Sequence, residues 1–354
     1  MALTIEEWLK GLPKAELHVH LEGAVSPEAL IGFAHKYHLD MPTQKEVLLS
    51  QFEFVDFSHF LRIYLLISTC LREKGDLKYV AREHLKQAAE QGVLYSEVEW
   101  TPNTLLKNGI SYRDQVEGLV AGIHEGEDAY GVTMRLIPDV IPGEGVEAAS
   151  ALLDEMEVCR RDEIVGFGIG GPETDYLVED FRGVYARARD LGLRTTAHAG
   201  ETGGPEAMWE AIVNLKVDRI GHGTGAVKDE RLMNMLKESK IPLDISPTSN
   251  LRLNYTKSYS SHPIRGFYDF GIPVTLNSDD PALFNQNLLD EYITMYREHI
   301  FTTNELKKLA SASFEHSFLP ADLRDDYLSR IASYPDFIGE PRTARLQPAE
   351  NLTL

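Results

Sequence analysis

Two histidines near the amino terminus, His18 and His20, have a spacing that suggests metal chemistry. They lie two positions apart in a mostly apolar run, so a strand there would direct both imidazoles to the same face. Imidazole nitrogens are common zinc ligands, and two on one face can reach the same ion. Because the pair also fits two packed structural histidines, a metal site needs further ligands from elsewhere in the chain.

Further ionisable residues follow later apolar runs: His198, His222, Asp279 and Asp280. Glu201 lies three residues after His198 in a glycine-rich turn, close enough to act at the same centre as a proton donor. Acidic residues at such places also cap helices, so each acid keeps a structural alternative. The other histidines lie in helical or loop patterns and are expected to be structural or solvated: His35, His38, His59, His84, His124, His262, His299 and His316.

Strands must position these residues, and short apolar runs alternate with longer helical patterns along the chain. Eight strands are predicted, over Ala15 to His20, Leu94 to Trp100, Thr133 to Pro138, Ile164 to Ile169, Leu193 to His198, Arg219 to His222, Ile241 to Ser246 and Pro273 to Asn277. This α/β pattern is typical of a (β/α)8 TIM barrel and also fits a large doubly wound sheet. In a barrel, the carboxyl ends of the strands share one rim, which would bring the candidate residues together.

Two helix starts are marked by capping residues. Ser26 precedes Pro27, which suits the first helical position, and Thr43 with Glu46 predicts a capping box.

Three ranges describe the expected domain organisation. One barrel domain is predicted over residues 1–335, followed by a loose, proline-containing tail over 336–354. Within the barrel, residues of about 40–74 form an extra helical segment after the first strand. That segment either roofs a pocket near Phe57 or packs on the barrel wall.

Composition excludes several classes of protein. The 354 residues are 43% hydrophobic and 25% charged, as in globular domains. A net charge of −20 repels phosphate backbones and anionic lipid surfaces, so neither nucleic acid nor a membrane is expected as a partner. Cys70 and Cys159 lack paired spacing, and no apolar run follows a basic start, so we expect the cytoplasm as the compartment.

Six runs, taken together, resemble the adenosine and adenine deaminases: PKAELHVHLEGA (13–24), GGPE (170–173), HAGE (198–201), RIGHG (219–223), SPTSN (246–250) and NSDDP (277–281). They occur in the family's order and at fitting spacing, from Leu12 to about Leu319. The resemblance implies a zinc-dependent (β/α)8 barrel of the amidohydrolase superfamily.

The resemblance also implies a metal site and an acid. One Zn²⁺ ion per chain would be bound by His18, His20, His198 and Asp279. Glu201 would protonate N1 of a purine, which makes C6 electrophilic, while the metal lowers the pKa of water toward about 7.

Other residues would hold the reactants. By the resemblance, His222 holds the incoming hydroxide, Asp280 hydrogen-bonds water and N7, and Gly171 offers its backbone N–H to N3. His20 and Glu22 would lie against the substrate. Glu22 departs from the pattern, since adenosine deaminases place an aspartate there that touches the 5′-hydroxyl of the sugar, and this departure puts ribose recognition in doubt.

We therefore expect hydrolytic deamination of a 6-aminopurine, with adenosine or 2′-deoxyadenosine first, giving the inosine product and ammonia. Aminofutalosine (6-amino-6-deoxyfutalosine) and adenine are the alternatives on the same site. The expected partners are a purine nucleoside or base and water, and assembly into a homo-oligomer stays open.

Two other classes of function remain as alternatives to deamination. Many barrels with the same histidine pair hydrolyse amides or phosphoesters with two metals, although no bridging lysine stands at the end of the fourth predicted strand. A nucleoside-binding protein with a decayed site is the non-enzymatic alternative, which the complete set of ligands and acid disfavours.

Overall fold

Eight parallel strands follow the order of the chain around one sheet, within the residues that the computed structural model describes, 3–173 and 178–338. Their bounds are β1 Lys14–His20, β2 Val93–Trp100, β3 Thr133–Val140, β4 Gly166–Ile169, β5 Arg194–Ala199, β6 Arg219–His222, β7 Leu243–Ile245 and β8 Val274–Leu276. All eight predicted strands are present, with ends displaced by at most two residues. Sequential parallel order with intervening helices belongs to a barrel, so the doubly wound alternative is excluded.

The barrel closes where the segment after β8 meets β1. The His20 N–H donates to the Asp279 carbonyl at 2.8 Å, and the Asp279 N–H donates to the His18 carbonyl at 3.2 Å. The Asn277 side-chain oxygen accepts the N–H of Leu17 at 2.8 Å and that of His18 at 3.2 Å. Barrel closure and three expected site residues therefore share the same hydrogen bonds.

Helices separate the strands and cover the outside of the barrel. In the described part of the chain they are α1 Ile5–Gly11, α2 Pro27–Tyr37, α3 Lys45–Ser50, α4 Phe57–Ser68, α5 Lys74–Glu90, α6 Pro102–Lys107, α7 Tyr112–Tyr130, α8 Val146–Val158, α9 Arg182–Asp190, α10 Gly204–Glu210, α11 Glu230–Ser239, α12 Pro247–Arg252, α13 Ile264–Phe270, α14 Pro281–Phe284, α15 Leu288–Arg297, α16 Thr303–Glu315 and α17 Ala321–Ser333. No helix among these is long and apolar enough to cross a membrane.

The two predicted helix caps have different outcomes. The Ser26 hydroxyl accepts the Ala29 N–H at 3.2 Å, as a cap of α2 should. The capping box at Thr43 is wrong, because the backbone stays extended through Gln44 and α3 begins only at Lys45. Thr43 therefore stands one residue too early to meet the free N–H groups of the first turn.

The extra segment after β1 contains α3 and α4, and α4 lies over the carboxyl end of the barrel. The Asp56 carboxylate caps α4 by accepting the His59 N–H at 2.7 Å. Phe60 stacks on Phe284 of α14, with ring centres 5.3 Å apart. The segment thus roofs the rim. The predicted tail lies outside the described residues beyond position 338.

A buried arginine fills the opposite end of the barrel. Arg219, the first residue of β6, pairs with Glu97 at 2.6 Å and with Asp244 at 2.8 Å. Its guanidinium lies 3.8 Å from the ring centre of Phe318. These ion pairs and the stacking on the ring offset much of the free-energy cost of burying the Arg219 charge.

Candidate active site

The four expected metal ligands meet at the carboxyl end of the barrel. His18 and His20 come from β1, His198 from β5, and Asp279 follows β8. The Nε2 atoms of His20 and His198 lie 3.1 Å apart, and Asp279 Oδ1 lies 3.3 Å from His18 Nε2 and 3.4 Å from His20 Nε2. All four side chains are buried.

Three further residues lie within reach of the same centre. Ligand atoms within 4.8 Å of one another form three overlapping groups, which add Glu99, His222 and Asp280 to the expected four. Glu99 Oε2 lies 3.7 Å from His20 Nε2, and His222 Nε2 lies 3.9 Å from Asp279 Oδ2. The centre therefore holds more potential ligands than one ion needs.

Three imidazoles at the centre, those of His20, His198 and His222, are neutral and can present a lone pair to a metal, whereas the acids around His18 favour its charged form. His198 Nδ1 lies 2.9 Å from the Ile169 carbonyl oxygen, so Nδ1 carries the proton and Nε2 presents its lone pair to the cluster. Burial lowers the pKa of His20 to about 4 and that of His222 to about 3, which keeps both neutral. Burial opposes charge on His18 as well, but Glu99 and Asp279 outweigh it and raise the pKa of His18 to about 9.

Unpartnered atoms show that the cluster fits a cation. Glu99 Oε2 and Asp280 Oδ1 are buried without a hydrogen-bond partner, and His18 Nε2 has the Asp279 carboxylate 3.3 Å away. Buried polar atoms normally have hydrogen-bond partners. The convergence of imidazole nitrogens and carboxylate oxygens here therefore indicates a binding site for a cation. Imidazole nitrogens together with a carboxylate are the ligand set of catalytic zinc sites. The residues present therefore fit a divalent metal such as Zn²⁺.

Glu201 lies beside this centre with the properties of an acid. Its Oε1 accepts from the Asn250 side-chain amide at 3.0 Å and lies 3.3 Å from His222 Nδ1. Burial raises its pKa well above the ordinary value, and the negative charges of Asp279 and Glu173 add to the effect. A carboxyl group that holds its proton near neutral pH is suited to general acid catalysis.

Two of the site residues have strained backbones. His222 has φ 64° and Asp279 has φ 65°, a left-handed conformation that is uncommon for residues other than glycine. Such strain persists only where surrounding contacts enforce it, and it gathers at functional sites. At Asp279 the hydrogen bonds that close the barrel supply that constraint.

A cavity of about 470 Å³, counting its open mouth, lies against the cluster. Its lining residues are His20, Phe57, Phe60, Leu61, Tyr64, Thr101, Asp139, Ile141, Gly170, Gly171, His198, Glu201, His222, Leu253, Asp279 and Asp280. Helix α4 supplies four of them, Phe57, Phe60, Leu61 and Tyr64, and so covers one side of the cavity. No lysine or arginine of the described residues lines the cavity, so its walls offer no cation to a phosphate.

Glu22 lies behind the cavity wall. Its carboxylate accepts from the Tyr64 hydroxyl at 3.0 Å and from the Thr101 N–H at 3.1 Å. The Thr101 hydroxyl in turn donates to Asp139 at 2.8 Å. Burial raises the pKa of Glu22. Both oxygens of Glu22 thus have partners within the protein, and the Tyr64 and Thr101 side chains face the cavity in front of it.

Two glycines allow close approaches at the site. Gly171, predicted to offer its N–H to a ligand, lines the cavity with φ +97°, where a side chain would strain the backbone. A Cβ on Gly23 would lie 1.8 Å from Asp280 Oδ1, so the Asp280 carboxyl can occupy its position only because residue 23 is glycine.

Sequence reasoning missed several residues of the site. Asn250 and Glu173 stand in recognised motifs but received no role, and His262, expected to be structural or solvated, is buried with Nε2 3.0 Å from the Asn250 side-chain oxygen. Glu99 and Asp139 are acids near the ends of predicted buried strands. That placement was a usable signal, because charged groups are rarely buried without a partner or a function.

Comparison with known proteins agrees with this geometry. Residues 13–334 match the sequence profile of the adenosine deaminase family. An aminodeoxyfutalosine deaminase of Streptomyces avermitilis is 36% identical over 334 residues, covering 93% of this chain and 93% of that protein. Two crystal structures share the fold.

The first is an adenine deaminase of Arthrobacter aurescens, with a TM-score of 0.88 and 29% identity over 91% of this chain and 99% of that one. The second is an amidohydrolase of Burkholderia ambifaria with bound zinc, with a TM-score of 0.86 and 27% identity over 94% of this chain and 93% of that one. The chain therefore belongs to the adenosine deaminase family of the amidohydrolase superfamily and is an aminohydrolase, an enzyme that hydrolyses C–N bonds.

Proposed function

We propose that this enzyme deaminates a 6-aminopurine hydrolytically. Its preferred substrate is aminodeoxyfutalosine, the compound introduced above as aminofutalosine. The observation that carries the deamination is a buried acid, Glu201, 3.3 Å from His222 and beside a cluster of potential metal ligands. The relative from Streptomyces avermitilis named for aminodeoxyfutalosine supports the substrate. Adenosine, the first expectation from sequence, thereby gives way to an alternative.

Free adenine is the second candidate, and the state of Glu22 supports it over adenosine. Glu22 is fully buried and does not line the cavity, because Tyr64 and Thr101, which bond its two oxygens, stand between it and the cavity, so it is not placed to bind a sugar hydroxyl there. The solved relative from Arthrobacter aurescens is named an adenine deaminase.

His18, His20, His198 and Asp279 would hold one Zn²⁺ ion. When bound, the ion supplies Lewis acidity that makes water nucleophilic near neutral pH. The purine lies in the cavity under Phe57 and Phe60, whose apolar side chains exclude bulk water from the reaction.

The protein's own groups then move protons and hold the ring. Glu201 donates its proton to N1, which draws electron density from C6 as water adds there. His222 holds the added oxygen, and Gly171 donates its backbone N–H to N3. Burial and Asp279 raise the pKa of Asp280, so its protonated carboxyl can donate to N7. As the C6–N bond breaks, one proton of the added water leaves with the amino group as ammonia and the other returns to Glu201. The 6-oxopurine that remains keeps the proton at N1.

A substrate panel tests the proposal. Purified enzyme with measured zinc content is assayed for ammonia release from aminodeoxyfutalosine, adenine, adenosine and 2′-deoxyadenosine. We expect the highest kcat/KM for aminodeoxyfutalosine, because fit to the pocket decides among substrates that share the same chemistry. A higher value for adenosine would reverse the substrate order. No ammonia from any of them, with one zinc per chain, would refute the deamination.

Glu201→Gln tests the acid. The amide keeps the shape of the side chain but has no acidic proton, so we expect kcat to fall by roughly 10²-fold or more. Zinc should stay at one ion per chain, measured by elemental analysis, because Glu201 is outside the expected ligand set. Turnover close to that of the wild type would remove Glu201 from the mechanism, and two metal ions per chain would favour a two-metal hydrolase.

A further inference from the structure

Glu173 is a buried carboxylate at the end of the GGPE run, 6% exposed. Its Oε1 accepts the N–H groups of Glu201 and Thr202, each at 2.8 Å, and its Oε2 accepts those of Gly200 at 2.6 Å and Gly203 at 3.1 Å. One side chain thus satisfies four successive backbone N–H groups in the loop that carries the proton donor.

The loop is shaped around this carboxylate. The Glu173 N–H donates to the Thr202 hydroxyl at 3.2 Å, which ties the two segments together a second time. A Cβ on Gly203 would lie 2.8 Å from Glu173 Oε2, and Gly200 has φ +84°, so both glycines are needed for the close approach. Consecutive N–H groups that point to one centre form an anion-binding nest, which Glu173 fills from within the chain.

Loss of the carboxylate would leave four N–H groups without their acceptor. One of these N–H groups is buried and three are partly buried, and such groups are costly to leave without partners, so the loop would rearrange to find others. Glu201 is itself one of the four donors, and a change in its backbone moves its carboxyl relative to Asn250 and the cavity. Small displacements of a reacting group cost catalysis heavily, since proton transfer needs hydrogen-bond distance.

We propose that Glu173 is the positioning residue of the proton donor, holding the loop of residues 200–203 so that the Glu201 carboxyl faces N1 of the purine. The catalytic part of this inference rests on the proposed function. The effect of Glu173 on the order of the loop does not, and it can be measured separately.

The experiment compares Glu173→Ala and Glu173→Gln with a matched control, Glu127→Gln, in the full-length enzyme. Glu127 also accepts a backbone N–H, that of Met134 at 3.0 Å, but at the amino-terminal end of the barrel. The readouts are amide hydrogen exchange of residues 200–203 by mass spectrometry, zinc per chain, kcat and KM.

For Glu173→Ala we expect exchange in the loop to accelerate by about tenfold or more and kcat to fall by roughly 10²-fold. Zinc content should change little, since the expected ligands are not altered, and KM should change less than kcat, since Glu201 is the one residue of the loop among those that line the cavity. Glu173→Gln should be intermediate, because its amide nitrogen cannot accept two of the four N–H groups. The control should match the wild type in every readout.

Formate is a direct probe of the empty nest. Added to Glu173→Ala, it should restore kcat in a saturable way, whereas chloride at equal ionic strength should not.

Unchanged loop exchange, or kcat within about twofold of the wild type, would overturn the proposal. If Glu173→Ala does not fold, the proposal is tested by Glu173→Gln, whose loop should still exchange faster than that of the wild type. If the wild type releases no ammonia from any purine, the proposed function fails, while the exchange data still test the hold on the loop.

Discussion

His262 lies behind the cavity wall and acts on Glu201 through Asn250. Its Nδ1 accepts the Ile264 N–H at 3.1 Å, so the proton is on Nε2, which donates to the Asn250 side-chain oxygen at 3.0 Å. The Asn250 amide nitrogen is thereby turned toward Glu201 Oε1, 3.0 Å away. Burial lowers the pKa of His262 to about 3, so this chain of hydrogen bonds keeps its direction throughout the neutral pH range.

Replacing His262 should therefore lower turnover without removing the metal. We expect His262→Phe to reduce kcat on the order of tenfold, as is usual when a partner of a site residue is lost. His262→Gln should retain more activity because its amide can donate to Asn250. His84→Phe is the matched control, since His84 is also buried but bonds Ser96 away from the site. Equal kcat values for the two His262 variants would contradict a directing role.

At the scale of elements, α4 determines the apolar character of the cavity. One face of the helix presents Phe57, Phe60, Leu61 and Tyr64 to the pocket. Phe57 lies 5.8 Å from Phe60, which is itself anchored by its stack on Phe284. Leu66, on the same helix, is 42% exposed and outside the cavity lining.

Phe57→Ala should weaken substrate binding more than chemistry. Removing a ring that packs on bound purine loses burial worth about 1.5–3 kcal/mol, which corresponds to a rise in KM of roughly 10- to 100-fold. Because Phe57 is only half-buried, the stability of the fold should change less. Leu66→Ala is the control on the same helix. Steady-state kinetics that show equal KM values for both variants would contradict the role of α4 as a roof.

Across the whole molecule, many carboxyl groups are buried, and their burial links stability to pH. Glu291 of α15 is fully buried and accepts the Thr248 N–H at 3.0 Å. Burial raises the pKa of its carboxyl from 4.5 to about 8. Between these pH values the folded state holds a proton that the unfolded state has released, so the free energy of unfolding decreases as pH rises.

Glu291→Gln should remove this pH dependence. The amide is neutral at every pH, so the stability of the variant relative to the wild type should increase from pH 5 to pH 8, by up to about 1.4 kcal/mol per pH unit. Denaturant unfolding at several pH values measures the trend. For the control Glu298→Gln, at the exposed end of the same helix, the free energy of unfolding should change with pH as it does for the wild type. A constant difference between Glu291→Gln and the wild type would contradict the burial of an ionisable group there.

The architecture and the centre of the site were largely predictable. Each strand is a short apolar run with its own local signature, and the candidate site residues stand at or near the carboxyl ends of such runs, as His198 and His222 do. Parallel strands align these ends, so convergence followed from order alone. Segment ends were less certain, as Thr43 shows, because one extended residue at Gln44 displaces a helix start.

The sequence by itself determined the alternation of strands and helices, the residues at the strand ends, and a resemblance to one family, which implied the barrel and its chemistry. Only the tertiary structure decided that Glu22 is bonded to Tyr64 and Thr101, that Glu173 holds the Glu201 backbone, and that His262 turns Asn250 toward the Glu201 carboxyl. The physical reason is how far apart in the sequence the interacting residues lie. Strand and helix patterns arise from neighbours along the chain, whereas a hydrogen bond between distant segments depends on the fold that brings them together and leaves no periodic trace in the sequence.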